Sequence, residues 1–344
     1  MTIDDEPLVT VLTPVYNGER YLRECIQSVL NQTYRNWEYV IVNNCSTDAT
    51  GAIAAEYASG DPRVRLHNNT AFVTAMQNHD IAFRSISAQS KYCKVVHADD
   101  WLFPECLTRM VDLAERHPSV GVVGAYSLEG DRVILDGLPY PSTVVAGRTM
   151  GRWYLLGGPY VFGNPSAVLY RADLVRQRQP FYRERWPLWA DLDACLDLLR
   201  GNDFGFVHQV LTFTRRHAGA TSQFAQQVNT YMLGGLELLV RHGPAYLDSR
   251  ELKLRLEEMV RAYRRFLGQS LFQRPTDKEF WHYHMTGLRE IGLPMTWPTV
   301  AGAALLAVFE VLGYPLRAAR KVLLRSRHAA RTMPGGQRSA SIEA

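Results

Sequence analysis

The sequence predicts an α/β fold, a mostly parallel sheet flanked by helices, followed by a helical extension. Short apolar, β-branched runs alternate with segments in which apolar residues recur every three or four positions. Strands that alternate with helices in this way form parallel sheets with right-handed crossovers. Beyond Ser222 only the helical period remains, which predicts a separate helical region.

The elements follow from this alternation in chain order. Strand runs occur at 9–15, 37–42, 64–67, 92–96 and 120–126. Helical spacing occurs between them and after them, at 21–30, 48–57, 72–88, 104–117 and 190–199 and then at 228–241, 251–267 and 277–291. The stretch from Gly130 to Gly163 is rich in Gly and Pro, which indicates long loops that bind a second substrate.

Composition bounds the class of protein. The chain has 344 residues, 47% hydrophobic and 21% charged, with a net charge of +4, so it can form one large domain or a domain with an extension. The mild charge argues against a nucleic-acid partner. Five cysteines without metal-ligand spacing indicate buried thiols in a reducing compartment, and residues 1–6 lack the apolar core of a secretory signal, so we expect a cytoplasmic protein.

Two adjacent carboxylates, Asp99 and Asp100, follow the apolar run 92–96. Ligands of open α/β sheets bind outside the carboxyl ends of the strands. A few hard oxygen ligands suit Mg²⁺ or Mn²⁺, which complete their shell with water and substrate phosphates. The pair therefore predicts a cation site for a diphosphate-bearing substrate. The alternative is a loop that caps the helix beginning near Pro104.

Several stretches together resemble the family 2 inverting glycosyltransferases of the GT-A fold, over about residues 8–222. They are 9–18 (VTVLTPVYNG), 28–34 (SVLNQTY), 42–48 (VNNCSTD), 97–100 (HADD) and 189–193 (WADLD). The resemblance implies a GT-A domain at 1–222 and an extension at 223–344. It also implies transfer of a sugar from a nucleoside diphosphate sugar to a hydroxyl of a glycan, lipid-linked or other acceptor, with Mn²⁺ or Mg²⁺ as cofactor.

The resemblance also implies which residues bind the nucleotide. Pro14, Tyr16 and Asn17 would contact the nucleoside, with Tyr16 stacked on the base; the alternative is a turn that fills the sheet edge. Asn43 stands where the family commonly has an aspartate, and its amide can both accept and donate a hydrogen bond. Uracil is the base we expect from this, with guanine and thymine left open. Asp48 belongs to the same nucleotide-binding stretch.

Around the diphosphate, the resemblance implies contacts from His97, Asp99, Arg215 and Arg216, and cation ligands at Asp99, Asp100 and His217. The planar guanidinium suits phosphate oxygens. His97 replaces an aspartate of many relatives, so it is a cation ligand, a contact to ribose or diphosphate, or a polar residue at the rim. A solvated basic turn is the alternative for residues 215–217.

Asp191 matches the general base of inverting members, which takes the proton of the acceptor hydroxyl. Relatives usually carry Glu where this chain has Ala190. Asp193 is the alternative base, and an acid that merely stabilises a helix N-terminus is the alternative role for Asp191. The segment 163–166 is a candidate floor for the acceptor.

The apolar stretch 299–314, followed by basic residues from Arg317 to Arg331, is too short to span a bilayer. It is either a helix on a membrane surface, possible at the inner face of the membrane, or a helix packed on the protein. Two other functions remain open at this point. A sugar nucleotidyltransferase would carry a Gly-rich basic loop after the first strand, which residues 14–20 are not. A non-catalytic nucleotide-sugar binder or scaffold of the same fold would release no sugar.

Overall fold

The computed structural model describes residues 6–184, 187–217 and 227–312. The chain divides into two compact units after Leu256. A ten-stranded sheet forms the centre of the first unit. Its strands are β1 (Val9–Val15), β2 (Trp37–Asn43), β3 (Val64–Asn68), β4 (Tyr92–Val95), β5 (Trp101–Leu102), β6 (Val120–Glu129), β7 (Arg132–Ile134), β8 (Val144–Val145), β9 (Leu169–Arg171) and β10 (Asp203–Thr214).

The sheet has the order β3-β2-β1-β4-β9-β6-β10-β5, with β7 beside β6 and β8 beside β10. β1 pairs in parallel with β2 and β4, β2 with β3, and β10 with β6. β9 runs antiparallel between β4 and β6. Val15 lies opposite Asn43, so the loops after β1, β2 and β4 leave the same edge, as the sequence predicts.

Helices pack on this sheet and on one another. They are α1 (Glu19–Leu30), α2 (Thr50–Gly60), α3 (Ala75–Arg84), α4 (Cys106–Arg116), α5 (Gly147–Leu155), α6 (Ala172–Gln177), α7 (Ala190–Leu198) and α8 (Thr230–Tyr246). In α1 the buried face is Leu22, Cys25, Ile26 and Val29, which recur at helical spacing and join the main core. The prediction of an α/β fold with a mostly parallel sheet is confirmed.

The stretch 130–163 is more ordered than the loops that its composition indicates. It contains β7, β8 and α5. In α5 the small residue Gly151 lets Tyr246 of α8 approach, since an added Cβ would lie 2.2 Å from the Tyr246 ring. The side chains of Met150 and Leu155 on the same helix are also buried. The glycines therefore allow close packing in this segment, although a Gly-rich composition by itself predicts loops.

The helix predicted at 72–88 is shorter than expected. α3 begins at Ala75 after a capping box, in which Thr74 accepts from the Gln77 backbone and Gln77 bonds back to Thr74. It ends at Arg84, so its first and last predicted turns are not helical.

Helices also form the C-terminal region, as predicted. α9 (Ser249–Gln273) crosses the division between the units, and α10 (Lys278–Glu290) and α11 (Trp297–Leu312) follow in the second. Within the described part of the chain, no helix is both long and apolar enough to cross a membrane. The basic cluster predicted from Arg317 to Arg331 lies outside the described residues.

Candidate active site at the carboxyl edge of the sheet

The loop after β1 presents one aromatic ring to solvent. Tyr16 is 49% exposed, and its ring meets Phe72 edge to face at 4.8 Å between centroids. Pro14 is buried within β1 itself. Gly18 lies so close to Ala98 that an added Cβ would be 3.3 Å from the Ala98 side chain. The loops after β1 and β4 therefore touch at Gly18, and the ring of Tyr16 is the part of the first loop that is open to solvent.

Asn17 connects the first loop to the second. Its Oδ1 accepts from the Thr47 backbone at 2.8 Å, and its backbone donates to Ser46 at 3.0 Å. Its φ of 50° is left-handed, a conformation that Asn tolerates better than most residues. Asp48 similarly accepts from the backbones of Glu19 and Thr50. Asn17 and Asp48, both predicted to bind nucleotide, thus hold the loops in place.

Asn43 ends β2 and is 7% exposed. Its Oδ1 accepts from the Ser46 backbone at 3.1 Å, and its Nδ2 donates to Asn68 at 2.8 Å. Asn44 fixes the next segment, since its amide both donates to and accepts from the Val73 backbone. The amide pair that replaces the family's aspartates is therefore used to shape the second loop. The sequence does not indicate this role of Asn44, because its partner Val73 is 29 residues away.

His97, Asp99 and Asp100 form the cation cluster. Each offers one ligand atom, and these atoms lie within 4.8 Å of one another. Burial raises the pKa of Asp100, and the nearby charge of Asp99 raises it further, against the opposing effect of His97. Negative groups this close favour a positive charge between them. The donor set therefore suits a divalent cation.

Asn164 supports Asp100 in this cluster. Its Nδ2 donates to Asp100 Oδ2 at 3.1 Å, while its own Oδ1 is buried with no hydrogen-bond partner in the described parts of the chain. An orphaned buried oxygen is uncommon in native structures and fits a place beside a cation or its water. Asn164 was a candidate for the acceptor floor; the structure puts it against the cation cluster.

A second histidine stands behind His97. His79 Nε2 lies 3.1 Å from His97 Nε2, and His79 Nδ1 lies 2.8 Å from the Ala75 carbonyl. Burial, and next the charge of His97, lower the pKa of His79 to about 3. His79 is therefore neutral at neutral pH. No motif or spacing in the sequence indicates a role for His79.

Lys94 of β4 is wholly buried beneath the cluster. It donates to the carbonyls of Ser166 and Val168. Burial lowers its pKa to about 8. Ser166 in turn accepts from the His97 backbone at 3.0 Å. A lysine inside an apolar run was visible in the sequence, and its role is to attach the segment 164–168 to β4.

Residues 215–217 return to the cluster after β10. The Arg215 backbone donates to Asp100 at 3.0 Å, while its guanidinium pairs with Glu24 and lies over the Tyr21 ring. His217 Nε2 lies 2.9 Å from Asp99 Oδ2. The structure thus brings His217 and Arg215 to the predicted cation residues.

The exposed Arg216 pairs with Glu129 at the same edge. Thr221 and Ser222, which follow this basic segment in the sequence, lie outside the described residues.

Asp191 lies in the first turn of α7, within electrostatic range of His97. Burial raises its pKa to about 6, opposed by the hydrogen bond from Leu192 and the charge of His97. It also acts on the phenol of Tyr160, whose pKa is raised by burial and then by Asp191. The predicted base and the cation cluster are therefore close enough to interact electrostatically.

Asp193 lies on the other side of α7, in the ion-pair cluster that it forms with Arg178, Arg183, Asp197 and His242. Arg178 and Arg183 contact it at 2.5 and 2.9 Å, and His242 Nε2 lies 2.9 Å from its Oδ1. Burial acts to raise the pKa of Asp193, but these partners outweigh it and lower the pKa to about 2. Such a weak base, already paired, does not suit proton abstraction, which leaves Asp191 as the candidate.

Comparison with known proteins agrees with this architecture. The family described as "Glycosyl transferase family 2" matches residues 10–178. EpsE of Bacillus subtilis, which carries a glycosyltransferase name, is 34% identical over 266 residues, which cover 74% of this chain and 86% of EpsE. The glycosyltransferase GlyA of Streptococcus pneumoniae is 36% identical over 129 residues, 37% of this chain but only 18% of GlyA.

Solved structures share the fold. TarS 1–349 of Staphylococcus aureus in complex with UDP-GlcNAc superposes with a TM-score of 0.62 at 16% identity, covering 87% of each chain. The mannosyltransferase PcManGT of Pyrobaculum calidifontis, in complex with GDP-Man and Mn²⁺, gives a TM-score of 0.50 at 17% identity, over 92% of this chain and 84% of its own. The chain is a member of glycosyl transferase family 2, a glycosyltransferase with the GT-A fold.

Proposed function

We propose that this enzyme transfers a sugar from a UDP-sugar to a hydroxyl of a glycan or lipid-linked acceptor, in a metal-dependent reaction that inverts the anomeric centre. One observation carries the proposal. Asp191, whose pKa is raised to about 6, lies within electrostatic reach of the cation cluster through His97. A direct displacement needs both groups: a base that takes the proton of the acceptor hydroxyl, and a cluster that binds the leaving diphosphate.

The reaction follows from this placement. Asp191 accepts the proton of the acceptor hydroxyl while that oxygen bonds to the anomeric carbon. The carbon's bond to the diphosphate oxygen breaks on the opposite face, so the nucleoside diphosphate leaves and the configuration inverts. A pKa near 6 keeps Asp191 ionised at neutral pH yet more basic than an ordinary aspartate. A divalent cation held by Asp99 and Asp100 would neutralise charge on the leaving diphosphate.

Tyr16 and Asn43 support uracil as the base of the donor. The exposed Tyr16 ring offers a stacking surface. Asn43 Oδ1 accepts one bond from Ser46 and retains a second lone pair for a uracil N3–H. TarS, of the same fold, binds UDP-GlcNAc. PcManGT binds GDP-Man instead, so guanine is the competing base that an experiment must exclude.

We also propose that the enzyme works at a membrane surface, within polysaccharide biosynthesis. α11 exposes Trp297, Leu305 and Leu306, by 53%, 62% and 66%. Basic residues from Arg317 to Arg331 follow in the sequence with no acidic residue among them, a pattern that attracts anionic lipid. The enzyme should then sediment with phosphatidylglycerol vesicles, and a chain ending at residue 296 should not.

The central test screens UDP-, GDP- and dTDP-sugars by thermal shift, with Mn²⁺ or with EDTA. A ligand that binds only the native state raises the melting temperature. We expect a UDP-sugar with Mn²⁺ to give the largest rise, and slow Mn²⁺-dependent release of free sugar from that donor. A rise unaffected by EDTA argues against the cation. A larger rise with a GDP-sugar argues against uridine.

A further inference from the structure

The ring of His97 contacts His79 of α3 and also offers a ligand atom near those of Asp99 and Asp100. The contact with His79 determines which nitrogen of His97 bears a hydrogen. His79 Nδ1 lies 2.8 Å from the Ala75 carbonyl oxygen. A carbonyl oxygen only accepts hydrogen bonds, so His79 Nδ1 must carry a hydrogen. In the neutral imidazole the other nitrogen, Nε2, then carries a lone pair.

That lone pair determines the tautomer of His97. His79 Nε2 lies 3.1 Å from His97 Nε2, so His97 Nε2 must donate the hydrogen between them. His97 Nδ1 is then left with a lone pair. The backbone of His97 is held independently, since its N–H donates to Ser166 Oγ at 3.0 Å. Both the position and the tautomer of His97 are therefore set before any ligand binds.

We propose that His97 is a nitrogen ligand of the divalent cation, binding through Nδ1 beside Asp99 and Asp100, and that His79 is the positioning residue that fixes this tautomer. The inference rests on the proposed function, because it assumes that the cluster binds a cation. In histidine ligands the N–H of the other ring nitrogen commonly donates a hydrogen bond to a fixed acceptor. His79 supplies that acceptor here.

A nitrogen ligand has a consequence for metal choice. Mg²⁺ strongly prefers oxygen ligands, whereas imidazole suits first-row transition ions. Replacing an oxygen ligand by His97 therefore makes the site favour Mn²⁺ over Mg²⁺. The aspartate that many relatives have at this position would give the opposite tendency, so His97→Asp is the natural variant for comparison.

The first experiment measures electron spin-echo modulation of Mn²⁺ bound to the full chain, with the metal alone and then with UDP. We expect modulation from a coordinated ¹⁴N in the unaltered protein and in His217→Phe, and none in His97→Asp. Modulation that survives in His97→Asp, or that disappears in His217→Phe, overturns the proposal, because His217 would then be the nitrogen ligand. Thermal melting checks that each variant is folded.

The second experiment measures Mn²⁺ affinity and its competition by Mg²⁺. His97→Asp should shift the ratio of Mn²⁺ to Mg²⁺ affinity at least tenfold toward Mg²⁺. His79→Leu should weaken Mn²⁺ binding by about 10- to 100-fold, the usual effect of losing such a partner. His79→Gln, whose side-chain carbonyl can still accept from His97, should restore most of the affinity. An unchanged ratio, or equal affinities of His79→Leu and His79→Gln, overturns the proposal.

These outcomes separate the inference from the function beneath it. Metal-dependent transfer without ¹⁴N modulation would refute the nitrogen ligand and leave the proposed function standing. Modulation in a protein that turns over no UDP-sugar would confirm the ligand and refute the function.

Discussion

The two sides of α7 place the same chemical group in opposite surroundings. Asp191 lies within electrostatic range of His97, and burial raises its pKa to about 6. Asp193, two residues later, faces Arg178, Arg183 and His242, which lower its pKa to about 2 although burial acts to raise it. The amino-acid type alone therefore says little about which carboxylate is a base.

The difference shows how the helix is divided by function. His242 is fully buried and accepts from Arg200 at its Nδ1 (3.0 Å), so its Nε2 must donate to Asp193. The bond from His242 joins α7 to α8, and Arg178 and Arg183 join α7 to the segment between α6 and α7. The paired side of α7, with Asp193, holds the helix in place. On the other side Asp191 has no ion-pair partner among the described residues, so its carboxylate can accept a proton.

The largest effect should follow from Asp191→Asn. The amide has nearly the same shape but accepts no proton, so kcat should fall by about 100- to 10,000-fold, the usual contribution of a general base. UDP affinity, measured by calorimetry with Mn²⁺, should change by less than about twofold, since Asp191 serves the acceptor. Turnover that survives this substitution would mean that another group removes the proton.

On the paired side, Asp193→Ala should act mainly on stability. It leaves the buried Arg178 without one of its carboxylate partners, and breaking a buried ion pair typically costs about 3–5 kcal/mol. Urea unfolding measures this loss. Asp112→Ala is the matched control, because the pair of Asp112 with Arg116 is exposed and should cost less than about 1 kcal/mol. Equal losses in the two variants would show that the ion-pair cluster does not hold α7.

Much of the sheet edge that carries Tyr16, Asn43 and the cation cluster could be predicted, because its sequence signals are local. The strands β1, β2 and β4 are each followed within a few positions by their own polar residues. The rules for parallel sheets then bring the strand ends together without further information.

The paired side could not be predicted, because its partners are distant in sequence. His242 is 49 residues from Asp193, and no spacing rule connects them. His79 and His97, 18 residues apart, meet only because α3 packs on β1 and β2, and β4 lies beside β1 in the sheet. Helix α5 was missed for another reason: Gly147 and Gly151 lower helix propensity, but tight packing outweighs it.

A third prediction concerns the pH dependence of turnover. The base must be ionised, so kcat should fall as pH decreases through about 6, by about tenfold for each further unit, reaching about a hundredfold at pH 4. Stopped assays across pH 4–8, with the folded state checked by circular dichroism, measure this profile. An inflection near pH 4 would mean that Asp191 behaves as an ordinary, solvated carboxylate.

The smallest effect separates the two aspartates by pH and stability together. Asp193 has a lower pKa folded than unfolded, so its ionised form stabilises the fold above its unfolded pKa, near 3.8, and this stabilisation is lost as pH falls toward 2. Its size follows from the shift, about 2–3 kcal/mol.

Urea unfolding of the unaltered protein and of Asp193→Asn should therefore differ by a constant amount between pH 7 and 5, and by steadily less between pH 4 and 2. Asp191→Asn should show the reverse sign, because a raised pKa means that ionised Asp191 destabilises the fold at neutral pH. This variant should be at least as stable as the unaltered protein at pH 7. If both substitutions destabilise the protein equally at pH 7, the two sides of α7 do not differ in the way that their surroundings indicate.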